Sequence, residues 1–145
     1  MKKQLINECT LRFPSRSVNE GFARSTAAAF IAQLDPNLEQ LYDIKTAVSE
    51  AVTNCIVHAY PNELGIITLR CRILKDQILD IVVKDKGIGI ADISLAKKPM
   101  YTTGGADRSG MGFTIIESFM TNFDLVSEPG KGTTVHMRRK IQRRK

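Results

Sequence analysis

The chain has no tryptophan, only two histidines and only three cysteines, which stand far apart at positions 9, 55 and 71. Because no two cysteines form a C-x-x-C pair, a structural zinc site and a disulfide framework are both disfavoured, and we expect reduced thiols. No apolar run approaches the roughly 20 residues that cross a bilayer, and the first residues lack the apolar core of a signal peptide. We therefore expect a cytoplasmic protein whose residues 1–145 fold as a single domain.

Acidic residues are missing from the C-terminal end, and this accounts for the positive charge of the chain. The net charge is +6, and residues 138–145 (RRKIQRRK) hold six of the 21 basic side chains without one acid. The rest of the chain is neutral, so the charge is a property of this basic tail. We expect the tail to be a solvated, frayed end and predict no specific nucleic-acid partner and no membrane partner.

Apolar periodicity predicts an α/β arrangement. Alternating side chains over Cys9–Phe13 predict a first strand, and Ser17–Glu20 is a capping box for a helix that buries Phe22 and stops at Asp35. The elements that follow are a helix over 38–60, strands over 66–74 and 78–84, a last helix over 113–119, and strands over 123–127 and 133–138. The predicted fold is a two-layer α/β sandwich, with one mixed, largely antiparallel sheet and helices on one face.

The most informative motif follows the apolar strand over 78–84. Asp85 ends that strand, and Gly87 and Gly89 come next, spaced one residue apart. Glycine permits positive φ and has no Cβ, so the loop suits a ligand that approaches at backbone range. Taken alone, the motif is also an ordinary turn.

Two other motifs are also compatible with a site that binds a ligand. Glu50, Asn54 and His58 recur every four residues in the helix predicted over 38–60, so they share a polar face beside an apolar stripe. His58 is interpreted as a packing or hydrogen-bonding residue. A glycine-rich run over 104–112 opens the last helix, and the free N–H groups at a helix start suit phosphate oxygens. By themselves, these motifs are also consistent with a solvated face and a flexible linker.

The three motifs in this order resemble the ATP-binding (Bergerat) fold of the GHKL superfamily of ATPases and kinases. The runs SEAVTN over 49–54, DKGIGI over 85–90 and RSGMGFTI over 108–115 resemble, in so short a chain, the anti-sigma serine kinases. The resemblance implies an ATP-dependent serine kinase that acts as a homodimer. It also implies that the chain sequesters a sporulation sigma factor of the sigma F type and phosphorylates the anti-anti-sigma protein that antagonises it.

The resemblance further implies roles for single residues. Asp85 would read the exocyclic amine of adenine, Glu50 would be the general base, and Asn54 would ligate Mg²⁺ beside the phosphates of ATP. Arg108 would stabilise charge on the γ-phosphoryl group, and Arg24 would contact both the sigma factor and the antagonist. The other implied nucleotide-binding residues are Gly87, Gly89, Thr102, Thr103, Ser109, Gly110, Met111, Gly112 and Thr134 together with Thr133.

Residues 91–107 are predicted to form a lid over the nucleotide, since glycines permit the backbone changes of closure. Gly104 stands where the family commonly has a lysine. This difference leaves open a lysine–phosphate contact from the lid and the register of Arg108.

Three other functions remain open. A general-stress anti-sigma kinase would share the chemistry but bind a different sigma factor. A non-catalytic module would bind a sigma factor and use ATP only as a structural ligand, although Glu50 argues against it. The catalytic domain of a sensor histidine kinase is disfavoured, because no upstream segment could form a dimerising helix pair with a phosphoacceptor histidine.

Overall fold

Within the described residues, five strands form one sheet. The computed structural model describes residues 4–61, 63–89 and 112–144. The strands are β1 (Leu5–Pro14), β2 (Ile66–Leu74), β3 (Ile78–Asp85), β4 (Asn122–Glu128) and β5 (Gly132–Lys140). Their order across the sheet is β1-β2-β3-β5-β4, and every pairing among these described strands is antiparallel. The predicted sandwich with a largely antiparallel sheet is confirmed.

Helices form the second layer. They are α1 (Asn19–Ile31), α2 (Leu38–Asn54) and α3 (Gly112–Phe119), and α2 packs against both others. Side chains from helices and sheet share one core, whose fully buried members include Ile31, Ile44, Val48, Ile81, Ile116 and Met137. None of the helices in the described ranges has the length and apolar character needed to span a membrane.

Alternation along the strands explains why the described helices cover only one face of the sheet. In β2, Ile67, Leu69, Cys71 and Ile73 are buried, whereas Thr68, Arg70 and Arg72 between them are partly exposed. Successive side chains of a strand point to opposite faces, so the apolar set faces the helices. The other face is polar, and there the Asp80 carboxylate lies 2.7 Å from His136 and 2.8 Å from Arg138.

The start of α1 differs from the prediction. The capping box predicted over Ser17–Glu20 is wrong, because Val18 occupies the N-cap position without a side-chain cap. Glu20 instead accepts a hydrogen bond from the Ser49 hydroxyl of α2 at 2.8 Å, a distant partner that local sequence does not show. Phe22, predicted to be buried, is 54% exposed, because α1 turns its alanines toward the core.

The two ends of α2 also have specific partners. At the start, the Asn37 side chain accepts a hydrogen bond from a backbone N–H three residues on, at 2.8 Å, as a helix cap does. At the end, the helix predicted over 38–60 continues through Ala59, but its last residues, Cys55–Ala59, form a wider π turn. His58 lies in this turn and is half-buried, and its packing or hydrogen-bonding role remains a prediction.

The basic C-terminal end is docked, contrary to the prediction that it frays. β5 runs through Lys140, two residues beyond the predicted strand, so Arg139 and Lys140 also lie in the sheet. Ile141 is only 1% exposed, and its N–H donates to the carbonyl oxygen of Gln77 at 2.8 Å. One apolar residue within the basic run therefore anchors the chain end to the β2–β3 turn.

This docking can be tested with Ile141→Ala. We expect the free energy of unfolding to fall by about 2–4 kcal/mol, since the change removes a buried side chain and leaves a cavity. Urea unfolding at neutral pH measures the difference. The exposed neighbour supplies a control, Gln142→Ala, which should change stability by less than about 0.5 kcal/mol. Equal effects of the two variants would show that Ile141 contributes nothing by packing.

Candidate nucleotide-binding site

Asp85 ends β3 with a buried carboxylate that is surrounded by hydrogen-bond donors. The residue is 4% exposed. Its Oδ1 accepts from the backbone N–H of Gly87 at 2.9 Å and from that of Thr133 at 3.2 Å. Its Oδ2 accepts from the thiol of Cys55 at 3.3 Å. Donors on both oxygens offset the cost of burying the charge and hold the carboxylate in one orientation.

The Cys55 thiol joins the helix motif to the strand motif. Cys55 directly follows Asn54, the last residue of α2, so its bond to Asp85 brings two of the predicted nucleotide-binding residues to the same end of the fold. Burial raises the pKa of Cys55 well above its usual range, and the nearby Asp85 charge raises it further. The thiol therefore stays protonated near neutral pH and acts as a donor.

The loop after Asp85 is held by the protein's own backbone. The N–H of Ile88 donates to the carbonyl oxygen of Ala59 in the π turn at 3.0 Å. A Cβ on Gly87 would clash with that same carbonyl, and a Cβ on Gly89 would clash with the backbone of Glu128. Gly89 has a φ of 77°, whereas Gly87 is not in the positive region. At both glycines, where the sequence predicted the close approach of a ligand, the backbone of the same chain lies close.

β5 brings Thr133, and not Thr134, to the Asp85 carboxylate. Thr133 is the register partner of Asp85, and its hydroxyl also shares a hydrogen bond with the Ser127 hydroxyl at 2.8 Å. Thr134 pairs with the exposed Lys84, on the opposite face of the sheet. Because a one-residue step in a strand turns a side chain to the other face, the placement predicted for Thr134 is corrected to Thr133.

Asn54 and Glu50 are one helical turn apart at the end of α2, and both are half-buried. The Nδ2 atom of Asn54 is buried and has no hydrogen-bond partner among the described residues. Since a buried polar atom rarely lacks a partner, this amide fits a site completed by a bound group. Its other atom, Oδ1, is the kind of oxygen that Mg²⁺ accepts next to nucleotide phosphates. The residues present therefore fit a magnesium–phosphate group.

Several predicted residues lie outside the described ranges. These are Thr102, Thr103, Arg108, Ser109, Gly110 and Met111, together with the rest of the predicted lid. Gly112 is the first residue of α3, so the end of the glycine-rich run does lie at a helix start.

Comparison with known proteins decides the family. Residues 13–139 match the family model of the histidine kinase-like ATPase domain. The anti-sigma F factor of Caldanaerobacter subterraneus subsp. tengcongensis is 54% identical over 94% of this chain and 96% of that protein. That of Clostridium acetobutylicum is 50% identical over the same shares. The chain belongs to the histidine kinase-like ATPase family, among the anti-sigma F factors. The predicted place in the GHKL superfamily and its anti-sigma branch is confirmed.

Solved structures share the fold of this anti-sigma family member. The RsbU and RsbW domains of Rv1364c from Mycobacterium tuberculosis align with a TM-score of 0.70 at 15% identity, over 96% of this chain and 34% of that one. The mycobacterial sensor histidine kinase MprB aligns with a TM-score of 0.58 at 12% identity, over 94% of this chain and 100% of that one. At these identities the likeness concerns the fold alone.

Tyr60 holds the residue after Asp85 in place, a role that the sequence did not predict. Its hydroxyl accepts from the N–H of Lys86 at 2.7 Å and donates to the carbonyl oxygen of Ile66 at 2.9 Å. The ring packs on Gly65, where a Cβ would clash with it. Tyr60 therefore ties the residue after Asp85 to the start of β2. A tyrosine at the end of the motif helix was the only sequence signal.

Arg24, predicted to bind a protein partner, lies on α1 in the helix layer. It is ion-paired with Glu20 at 3.2 Å, and its side chain is 43% exposed. It borders a shallow pocket together with Tyr42, Lys45, Thr46 and Ser49. Its surface position is compatible with a partner, and the partner role remains a prediction.

Because two thiols are buried, we expect this anti-sigma family member to lose stability at alkaline pH. Burial also raises the pKa of Cys71, to about 12, whereas a thiol in an unfolded chain titrates near about 8.5. As the pH rises past that value, the unfolded state loses these protons first, so the free energy of unfolding falls. With Cys55 and Cys71 together, we expect a loss of about 2–3 kcal/mol between about pH 7.5 and 9.5.

Urea unfolding across this pH range measures the loss. Cys71→Val keeps an apolar side chain and removes one of the two titrating groups, so the loss should be about half as large in that variant. A stability that stays constant or rises between the two pH values would contradict the prediction.

Proposed function

We propose that the chain is an ATP-dependent protein serine kinase that sequesters a sporulation sigma factor, sigma F, and phosphorylates its anti-anti-sigma antagonist. One observation carries the proposal: the buried Asp85 carboxylate, held by Gly87, Thr133 and Cys55, lies beside the helix end that bears Asn54. Membership among the anti-sigma F factors supports the regulatory part.

In this proposal Asp85 selects adenine. Its Oδ1 accepts hydrogen bonds from two backbone N–H groups. Oδ2 is then the oxygen that accepts a hydrogen bond from the exocyclic amine. Guanine carries a carbonyl oxygen at the same ring position, and two acceptors would then face each other. A site built around a buried acceptor rejects a ligand without the matching donor strongly, so GTP is excluded.

Asn54 would hold magnesium through Oδ1, with the ATP phosphates supplying further oxygen ligands. When bound, the metal supplies charge neutralisation at the phosphates. The buried Nδ2 of Asn54 is then free to donate to a phosphate oxygen, which supports this assignment.

Glu50 is proposed as the general base of transfer. It lies one turn before Asn54 on α2, so a carboxylate is available close to the proposed magnesium ligand. Its carboxylate takes the proton of the serine hydroxyl while that oxygen forms a bond to phosphorus and the bond from phosphorus to ADP breaks. Arg108 is proposed to stabilise the charge that develops on the transferred group.

The partners in this proposal are proteins. Arg24, exposed on α1, is proposed to contact the sigma factor and the antagonist, and the chain is proposed to act as a homodimer in the cytoplasm. The helices that bear Arg24 and Glu50 belong to the same layer, since α1 packs on α2. A protein bound at Arg24 would therefore lie on the layer that also carries the general base.

The proposal is tested with the purified chain, ATP labelled at the γ-phosphate, Mg²⁺, and the sigma factor and anti-anti-sigma protein of the source organism. We expect label on a serine of the antagonist, no label when that serine is alanine, and a complex with sigma F that forms with ATP. GTP should not replace ATP.

Two results would revise it. Retention of sigma F without transfer of label would point to a non-catalytic binding module. Transfer to an antagonist without any binding of sigma F would point to a kinase that controls a different sigma factor.

A further inference from the structure

Cys55 contacts Oδ2 of Asp85, the carboxylate oxygen that accepts fewer hydrogen bonds from the described residues. Its Sγ lies 3.3 Å from Asp85 Oδ2, and both residues are 4% exposed. The other oxygen, Oδ1, already accepts from Gly87 and Thr133. The thiol is thus a donor from the helix layer to the less occupied oxygen of the carboxylate.

Two features make this contact a directed one. Cys55 opens the π turn, and the far end of that turn is fixed because the Ala59 carbonyl accepts the Ile88 N–H at 3.0 Å. The turn that carries the sulfur is therefore fixed at its far end by the loop that follows Asp85. A carboxylate oxygen has two in-plane acceptor positions, and the thiol fills one of them on Oδ2.

We propose that Cys55 is a positioning residue for nucleotide recognition, which orients Asp85 Oδ2 so that its remaining acceptor position faces the exocyclic amine of adenine. This inference rests on the proposed function, in which Asp85 reads adenine. It adds that the selectivity for the amine depends on a thiol on the motif helix as well as on the carboxylate. A thiol is a weak donor, so it orients the oxygen and leaves most of its accepting capacity for the ligand.

The test compares ATP with purine riboside triphosphate, which lacks the exocyclic amine. Dissociation constants of both nucleotides are measured for the wild-type chain, Cys55→Ala and Cys55→Ser. We expect Cys55→Ala to bind ATP about tenfold more weakly and purine riboside triphosphate almost unchanged, so that selectivity for the amine falls by about tenfold. Cys55→Ser keeps a donor and should retain most of that selectivity.

Cys71→Ala is the matched control. Cys71 is a fully buried thiol on β2, so the variant creates a comparable cavity away from Asp85. It should leave the ratio of the two dissociation constants unchanged. If Cys55→Ala weakens both nucleotides equally, Cys55 is merely a packing residue and the inference is overturned.

A measurement on the wild-type chain needs no variant that folds poorly. The infrared S–H stretching band of Cys55, assigned by its loss in Cys55→Ser, should shift when ATP binds and should not shift with purine riboside triphosphate. A band that does not respond to ATP overturns the inference. If the wild-type chain itself binds both nucleotides equally, the adenine role of Asp85 fails and the proposed function fails with it. Selectivity in the wild type that persists in Cys55→Ala defeats the inference alone.

Discussion

Replacing Glu50 by glutamine is expected to lower phosphate transfer to the antagonist by about a hundredfold or more, while ATP binding changes by less than about threefold. Glutamine has nearly the shape of glutamate, so the half-buried end of α2 keeps its packing. It cannot take up the hydroxyl proton, however, and a base that acts only during transfer contributes little to binding ATP. Single-turnover transfer of labelled phosphate and a separate ATP titration measure the two quantities.

Glu39→Gln is the control for this experiment. Glu39 lies in the first turn of the same helix, is exposed, and is three turns away from Glu50. Its replacement removes the same charge from α2 and should leave transfer unchanged. Transfer that survives in Glu50→Gln would remove Glu50 from the base role, and equal losses in the two variants would indicate a general effect of helix charge.

The strands could be predicted well because their signal is local. In β2 and β3 the predicted bounds agree with the structure to within one residue, since apolar and polar residues alternate or run together between clear turn residues. The start of α3 was also predicted to within one residue from local signals, at Gly112. The family resemblance identified the nucleotide-binding motifs. Periodicity alone does not distinguish these motifs from ordinary turns.

The errors arose where a distant partner decides the local structure. Glu20 bonds to Ser49 instead of capping α1, and Ile141 docks a segment whose composition suggested disorder. The π turn at Cys55–Ala59 exists alongside a hydrogen bond from the loop at Ile88, and no spacing rule shows such a bond in advance. These are tertiary contacts, so a reading of neighbours along the chain could not predict them.

Register explains the remaining correction in the site. Thr133 and Thr134 are adjacent and chemically identical, so the sequence offers no reason to prefer one beside Asp85. The pairing of β3 with β5 decides it, because Asp85 lies opposite Thr133 and the next residue faces away. The Cys55 contact was missed for a related reason, since a lone cysteine in an apolar stripe is ordinarily a core residue.

Asp85→Asn is expected to weaken ATP binding by about a hundredfold with little loss of folding stability. The amide oxygen can replace Oδ1 and accept the N–H groups of Gly87 and Thr133, so the loop keeps its hydrogen bonds. The amide nitrogen then takes the place of Oδ2. It would present a donor to the adenine amine, which is also a donor, and the buried pair would be left without an acceptor. Isothermal titration with ATP, alongside thermal unfolding, separates the loss of binding from any loss of fold.

Inosine triphosphate makes the prediction more specific, because it carries a carbonyl oxygen where adenine carries the amine. The amide nitrogen that the Asp85→Asn substitution introduces can donate to that oxygen, so the ratio of ATP affinity to inosine triphosphate affinity should fall further than ATP affinity alone. Asp124→Asn, at an exposed position of β4, removes a carboxylate elsewhere and should leave both affinities unchanged. If the Asp85→Asn chain still prefers ATP, another group reads the base. In that case, replacing the buried acceptor at the end of β3 by a donor would have left the nucleotide preference unchanged.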